Sequence, residues 1–219
     1  MEEESKKKEI LVYKVLIIGN SSVGKTSILL RFCDGIYEPE TISTVGIDMK
    51  KKFIKRNDKK IQLNIIDTAG QEKFKAIATS YFKNVDGIII VYDISQLKSF
   101  QDVKLWINSI VNSIDANKVG LVIAGNKIDL EGKREVKEEM RKALEEKEKI
   151  KIIETSAKNS TNINEIFLEL VDRMEQLGLG NKYHSSLDNE SDGDPNRVGV
   201  KLKDKPKRNE RNNICCGRK

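Results

Sequence analysis

At 219 residues, with 38% apolar and 34% charged side chains, the chain has enough apolar surface for one ordinary domain beneath a heavily charged exterior. The lack of any run of 18 apolar residues excludes a membrane-spanning helix, and the charged first eight residues lack the apolar stretch of a signal peptide, so a cytosolic protein is expected. The formal net charge of +6 belongs to the end of the chain: residues 197–219 hold nine Lys/Arg against Asp204 and Glu210, which leaves the remainder nearly neutral.

Residues 11–18 are apolar apart from Lys14 and read as a buried strand. They run into Gly19-Asn20-Ser21-Ser22-Val23-Gly24-Lys25-Thr26, and residues 27–34 continue as a helix in which Cys33 reads as a buried thiol. Residues 49–56 and 61–66 flank Asn57-Asp58-Lys59-Lys60, a hairpin turn that makes one antiparallel edge pair. Apolar strands at 87–92, 121–124 and 150–153 end at Asp93, at Gly125-Asn126 and at Glu154-Thr155. Between them Phe100, Val103, Trp106, Ile107, Ile110, Val111 and Ile114 recur at three and four, an amphipathic stripe in which Trp106 reads as core. Ile163, Ile166, Phe167, Leu170, Val171 and Met174 repeat in the same way. Strands alternating with helices give an α/β fold: a six-stranded, mostly parallel, doubly wound sheet with helices on both faces. After Met174 the periodicity stops, and the polar stretch 181–219, with Pro195 and Pro206, cannot bury enough apolar area to offset its ordering entropy. The expected division is a flexible start at 1–10, a domain at 11–176 and a disordered tail at 177–219.

In such a sheet ligands bind at the carboxyl ends of the strands, and the informative residues fall there. The first strand opens into G-x-x-x-x-G-K-T, whose glycines let backbone N–H groups wrap a phosphate chain at a helix N-terminus. The nucleotide-binding set expected here is Gly19, Ser21, Ser22, Val23, Gly24, Lys25, Thr26 and Ser27. Lys25 neutralises the β- and γ-phosphates, and the Thr26 hydroxyl coordinates Mg²⁺. By itself this pattern says nucleoside triphosphate, not which base. The third strand ends in Asp67-Thr68-Ala69-Gly70-Gln71-Glu72. Asp67 is placed to hold Mg²⁺ through water, Gly70 to bring its N–H to the γ-phosphate, and Gln71 to orient the attacking water. Asn126-Lys127-Ile128-Asp129 supplies a carboxylate that accepts from the guanine N1–H and 2-amino group, which adenine does not offer. Around Ser156, Ala157 and Lys158, backbone N–H groups can meet the guanine O6. In the polar segment 37–46, Tyr37 packs on the nucleotide edge, and Thr44 adds a second hydroxyl to Mg²⁺ when a γ-phosphate is present. Two other readings stay open here, a module that holds GTP without hydrolysing it and a P-loop kinase or ATPase. The second needs neither the Asn126–Asp129 nor the Ser156–Lys158 motif.

With these motifs in order, residues from about 13 to 174 resemble the Ras superfamily, specifically the Rab small GTPases. The resemblance also rests on Ser43-Thr44-Val45-Gly46-Ile47-Asp48, on Lys73-Phe74 after Glu72, and on Val91-Tyr92-Asp93-Ile94-Ser95; residues 17–27 look most like the secretory-vesicle branch. It implies a P-loop small G domain, a monomer that cycles between GTP and GDP with Mg²⁺, and a catalytic set of Lys25, Thr44 and Gln71. It implies as partners an exchange factor, a GTPase-activating protein, a GDP dissociation inhibitor or escort protein, and vesicle effectors. No arginine near the switch segments presents itself as a finger, so a partner is expected to add about 10³–10⁵ in rate. Cys215-Cys216-Gly217-Arg218-Lys219 resembles the double-cysteine ending that takes geranylgeranyl groups, and it does not fit a C-a-a-X box. That implies peripheral attachment to the cytosolic face of a vesicle or plasma membrane, helped by the basic tail. A nucleic-acid partner is not expected, because the basic run lacks interleaved aromatics. The chain departs from the family where an aromatic triad shapes effector binding. The matching positions are Met49, Ile66 and Tyr81, of which only the last is aromatic.

Overall fold

The computed structural model describes residues 9–39, 47–56, 59–68 and 82–184. Strand β1 (Glu9–Gly19) runs through the middle of a sheet that also holds β2 (Ile47–Arg56), β3 (Lys59–Thr68), β4 (Gly87–Asp93), β5 (Gly120–Asn126) and β6 (Ile152–Glu154). Their order is β2-β3-β1-β4-β5-β6, parallel throughout except for the β2–β3 pair. A continuous apolar run suits β1 because both its faces are covered. Tyr13, Val15 and Ile17 point into one core with Ile28, Phe32, Phe167 and Leu170; Leu16 and Ile18 point into another with Tyr92, Phe100, Trp106 and Ile110. The helices supplying these faces are α1 (Lys25–Asp34), α2 (Leu97–Gln101), α3 (Val103–Val111), α4 (Glu138–Glu148) and α5 (Ile163–Gln176). The expected architecture, helices on both faces of a mostly parallel six-stranded sheet, is the one observed.

Three local features depart from the sequence reading. The stripe from Phe100 to Ile114 is divided between α2 and α3 at Asp102, which itself keeps right-handed helical dihedrals (φ −73°, ψ −13°), and Ile114 lies beyond the end of α3. Helix α4 gives almost no apolar stripe: only Leu144 is buried, and its surface is laced by Arg141–Glu145 at 3.0 Å and Lys142–Glu138 at 2.9 Å. Finally, residues 181–184 are not irregular. They form β7 (Asn181–His184), antiparallel to Glu9–Val12 of β1. Pairing of β1 with β4 starts only at Val15, so the earlier half of β1 has an open edge, and β7 fills it. The turn residues Asn57 and Asp58 lie outside the described residues.

On the edge strand β2 the lysines facing inward are partnered. Lys50 reaches Asp34 at 2.9 Å, Lys52 donates to the Cys33 carbonyl at 2.9 Å, and Arg56 meets Asp172 on α5. Cys33 is partly buried, and burial pushes its thiol up to about 11, so it is an inert packing residue as read.

Phe32 of α1 stacks on Phe167 of α5 with ring centroids 3.7 Å apart, joining the helices beside the first core. Phe167→Ala is expected to cost about 3–5 kcal/mol in urea or guanidinium unfolding. A loss under about 1 kcal/mol would mean that the two helices are held by other contacts.

Candidate functional site

The carboxyl ends of the parallel strands come to one edge of the sheet, since the register places Ile17 beside Asp67, Gly19 beside Val91 and Asp93 beside Asn126. From that edge the chain between Gly19 and Lys25 turns outward, and its carbonyls are tied down one by one. Lys25 Nζ donates to the carbonyls of Gly19 at 3.1 Å and Asn20 at 2.7 Å. Lys127 Nζ donates to Ser22 O at 2.7 Å, Asn126 Nδ2 to Val23 O at 2.9 Å, and Ile28 N to Gly24 O at 3.0 Å. In all these bonds the loop acts as acceptor, and none of them uses a loop N–H group, the donor that an anion needs. Gly24 sits at φ +95°, and a Cβ there would lie 2.3 Å from Asn126 Nδ2, so only glycine lets the Asn126 amide reach the loop.

Electrostatics at the loop base are those of an interrupted ion site. Lys25 is 5% exposed, and burial pushes its ammonium down to about 8 although Asp67 pulls it the other way. Two of its three protons are taken by carbonyls, and phosphate oxygens would favour the charged form further. Asp67 is fully buried, and burial raises its carboxyl above the usual range against the opposing pull of Thr26 and Lys25. Thr26 Oγ1 donates to Asp67 Oδ2 at 2.5 Å, while Asp67 Oδ1 is buried with no hydrogen-bond partner among the described residues. A hydroxyl beside a carboxylate oxygen that lacks a donor is a donor set suited to a hard, oxygen-seeking cation.

Beside the loop lies a pocket of about 400 Å³. Ser22, Gly24 and Ser27 wall it on the loop side; Asn126 at the end of β5 is followed by Lys127, Asp129 and Leu130; Tyr37, Pro39, Ala157 and Lys158 complete it. Asp129 Oδ1 accepts from Ser156 Oγ at 2.6 Å, and that hydroxyl in turn accepts from Asn159 N at 3.0 Å. Asn126 Oδ1 accepts from Ala157 N at 3.3 Å and Thr155 Oγ1 at 3.3 Å, so one amide side chain ties the loop to the 155–158 segment. Val23 is fully buried, with its carbonyl held by Asn126. Gly19, Lys25, Thr26 and Asp67 gather at the loop base, while Ser21 stands exposed on the loop. The remaining sequence-derived site residues, Thr44, Gly70, Gln71, Cys215 and Cys216, lie outside the described residues.

Sequence reasoning missed two supports. Asp93 was read only as a strand end. It is 1% exposed, contacts Lys127 Nζ at 2.7 Å, and accepts through Oδ1 from Ser95 N at 2.8 Å and Ser95 Oγ at 2.7 Å. Trp106 was read as core alone. Its indole Nε1 also donates to Asn20 Oδ1 at 3.2 Å, and Asn20 Nδ2 donates to Asp102 at 2.7 Å, fastening the loop to α3. The signal for Asp93 was a carboxylate on an otherwise apolar strand, which burial alone would penalise.

A comparison with known families matches residues 14–176 to the Ras family. The chain is 39% identical to the GTP-binding protein YPT1 of Saccharomyces cerevisiae over 192 residues, 87% of this chain and 93% of that one. It is 43% identical to the Ras-related protein RABD2c of Arabidopsis thaliana and 45% to the Ras-related protein Rab-8B of Pongo abelii, each over 159 residues. Those alignments cover 73% of this chain and 78% and 76% of the relatives. The chain belongs to the Ras family of small GTPases, in its Rab branch. As such it binds guanine nucleotide, hydrolyses GTP and serves as a switch in vesicle traffic.

Removing Asp93 tests whether the loop depends on its second support. Asp93→Ala leaves the half-buried Lys127 ammonium without its carboxylate and is expected to cost roughly 1–3 kcal/mol of stability. GDP should also leave faster in a fluorescent-nucleotide chase, and unchanged release would show that the Lys127 contact with Ser22 stands by itself.

Proposed function

We propose that the pocket holds GDP or GTP with the phosphates on the 19–26 loop and the guanine against Asp129. The observation that carries this reading is the Asp129 carboxylate, fixed by Ser156 at 2.6 Å in the same pocket as the loop. A carboxylate has about four acceptor positions, so the Ser156 bond leaves it free to take the N1–H and 2-amino group of guanine. Lys25 meets the β- and γ-phosphates, the Lys127 stem and Tyr37 flank the base, and the Lys158 N–H faces O6, joined by the Ala157 N–H once it leaves Asn126 Oδ1, to which it donates at 3.3 Å. Thr26 and Asp67 would hold Mg²⁺, with Thr44 joining in the triphosphate state, and the ion would supply positive charge to the phosphate oxygens. Gly70 and Thr44 sense the γ-phosphate, Gln71 orients the hydrolytic water, and loss of phosphate releases both segments.

The cycle needs partners of the kinds other Rab proteins use: an exchange factor, an activating protein that supplies the missing charge, and effectors that read the triphosphate state. Geranylgeranylation of Cys215 and Cys216 anchors the active form to the cytosolic face of a vesicle or plasma membrane, and a dissociation inhibitor extracts the inactive one. Two lipid chains meet the requirement that stable anchoring take more than one signal.

Asp129→Asn replaces an acceptor by a side chain that is half donor, so each guanine bond it made is lost or reversed. Each bond to a charged acceptor contributes roughly 1.5–3 kcal/mol, so GDP affinity should fall at least tenfold while affinity for a phosphate-only ligand is kept. Equal binding of GDP and ADP by the unaltered protein would overturn the base assignment. For the tail, mass spectrometry of protein from its native cell should find two C20 groups on the terminal cysteines. Unmodified Cys215 and Cys216 would remove the anchor.

A further inference from the structure

We propose that Arg31, in the last turn of α1, is the positioning residue for the purine: it holds the 157–158 segment and the turn that leads to Tyr37 in the spacing that a guanine fits. The inference rests on the pocket being the guanine site.

The geometry is a planar fork used on three carbonyls. Arg31 Nε donates to Ala157 O at 2.8 Å and Nη2 to Lys158 O at 3.1 Å, across a sequence separation of more than 120 residues. Nη1 donates to Gly35 O at 2.5 Å. Gly35 is itself the left-handed residue that ends α1, at φ +73°, and its N–H returns a bond to Arg31 O at 3.2 Å. The turn leading to Tyr37 is thus gripped from both sides by one residue, and the guanidinium carbon lies 5.9 Å from the Tyr37 ring centroid. Tyr37, Ala157 and Lys158 all line the pocket, and Arg31 touches each of these two walls from outside it.

The direction of the carbonyls matters. In a trans peptide the N–H and C=O of one unit point opposite ways. Drawing Ala157 O onto α1 therefore turns the Lys158 N–H away from α1. Ser156 cannot perform this task, because its hydroxyl is committed to Asp129 and Asn159. Asn126 restrains the segment only by bonds of 3.3 Å. Lysine cannot replace Arg31, since one ammonium on a flexible stem does not present parallel donors at fixed spacing.

The test uses the full chain loaded with a fluorescent GDP, with Arg31→Lys and Arg31→Gln beside the unaltered protein. Both variants should release GDP roughly 10- to 100-fold faster, which is the loss of one or two charge-assisted hydrogen bonds. Single-turnover hydrolysis of preloaded GTP should stay within about twofold, since the Arg31 contacts reach the base walls and not the phosphates. A second readout is the diphosphate of 2-aminopurine riboside, which carries hydrogen in place of O6 and no proton on N1, so the variants are compared with the unaltered protein bound to the same analogue. The penalty of either variant should shrink toward onefold with that analogue. Unchanged GDP release, full rescue by Arg31→Lys, or an equal penalty with the analogue would overturn the inference. So would loss of folded protein in both variants, which would make Arg31 a stability residue. Failure of the unaltered protein to bind GDP would instead sink the guanine reading, so the two failures are told apart.

Discussion

The carbonyls of Gly19, Asn20, Ser22 and Val23 are each held by one of three side chains, which come from two places in the chain. Lys25 holds Gly19 and Asn20, Lys127 holds Ser22, and Asn126 holds Val23. A turn rich in small residues has no intrinsic reason to keep one conformation, and ordering each residue costs on the order of 1–2 kcal/mol. These side chains set its conformation before any ligand arrives, so the ordering cost is met by the fold and not by the ligand. Lys127 can serve only because Asp93 waits at the end of the neighbouring strand, 2.7 Å from its ammonium. The Asn126 amide can serve only because Gly24 has no Cβ.

The same arrangement leaves charges in places that ordinary folding would avoid. A buried lysine pushed down to about 8 and a buried carboxyl pushed up lie within reach of one another at the loop base. Neither gains much from the fold as described: the lysine is satisfied by carbonyls, and one oxygen of Asp67 has no donor among the described residues. Polar groups left short of partners in a well-packed domain mark the place where a ligand completes the structure. A phosphate chain and a divalent cation would bring charges opposite to those of these two side chains.

Away from the nucleotide the chain is more individual. Met49 and Ile66 are cross-strand partners in the β2–β3 pair, Met49 59% exposed and Ile66 9% exposed. Most Rab proteins carry larger rings at the matching positions, so a flexible thioether and a nearly buried aliphatic present a different surface here. Beside them Phe53 is 44% exposed, with Lys60 Nζ 5.0 Å from its ring centroid, and Lys51 and Lys55 are exposed on the same strand.

The sequence by itself determined the chemistry that follows from strand ends. An apolar run that stops at a glycine-rich turn, at Asp67, at Asn126 or at Glu154 is legible because burial dictates the run and the ligand dictates the stop. It also determined the parallel sheet with helices on both faces, through the two periodicities. It was silent where local pattern carries no burial signal, as in α4, whose charged surface leaves Leu144 alone in the core, and in β7, whose pairing depends on an edge that β1 leaves open. Tertiary structure alone decided which side chains hold which carbonyls. Arg31 meets Ala157 and Lys158, Trp106 meets Asn20, and Asp93 meets Lys127 across gaps of 34 to 127 residues. Such contacts have no periodicity to announce them, because each is fixed only when separate strands and helices close around one sheet edge.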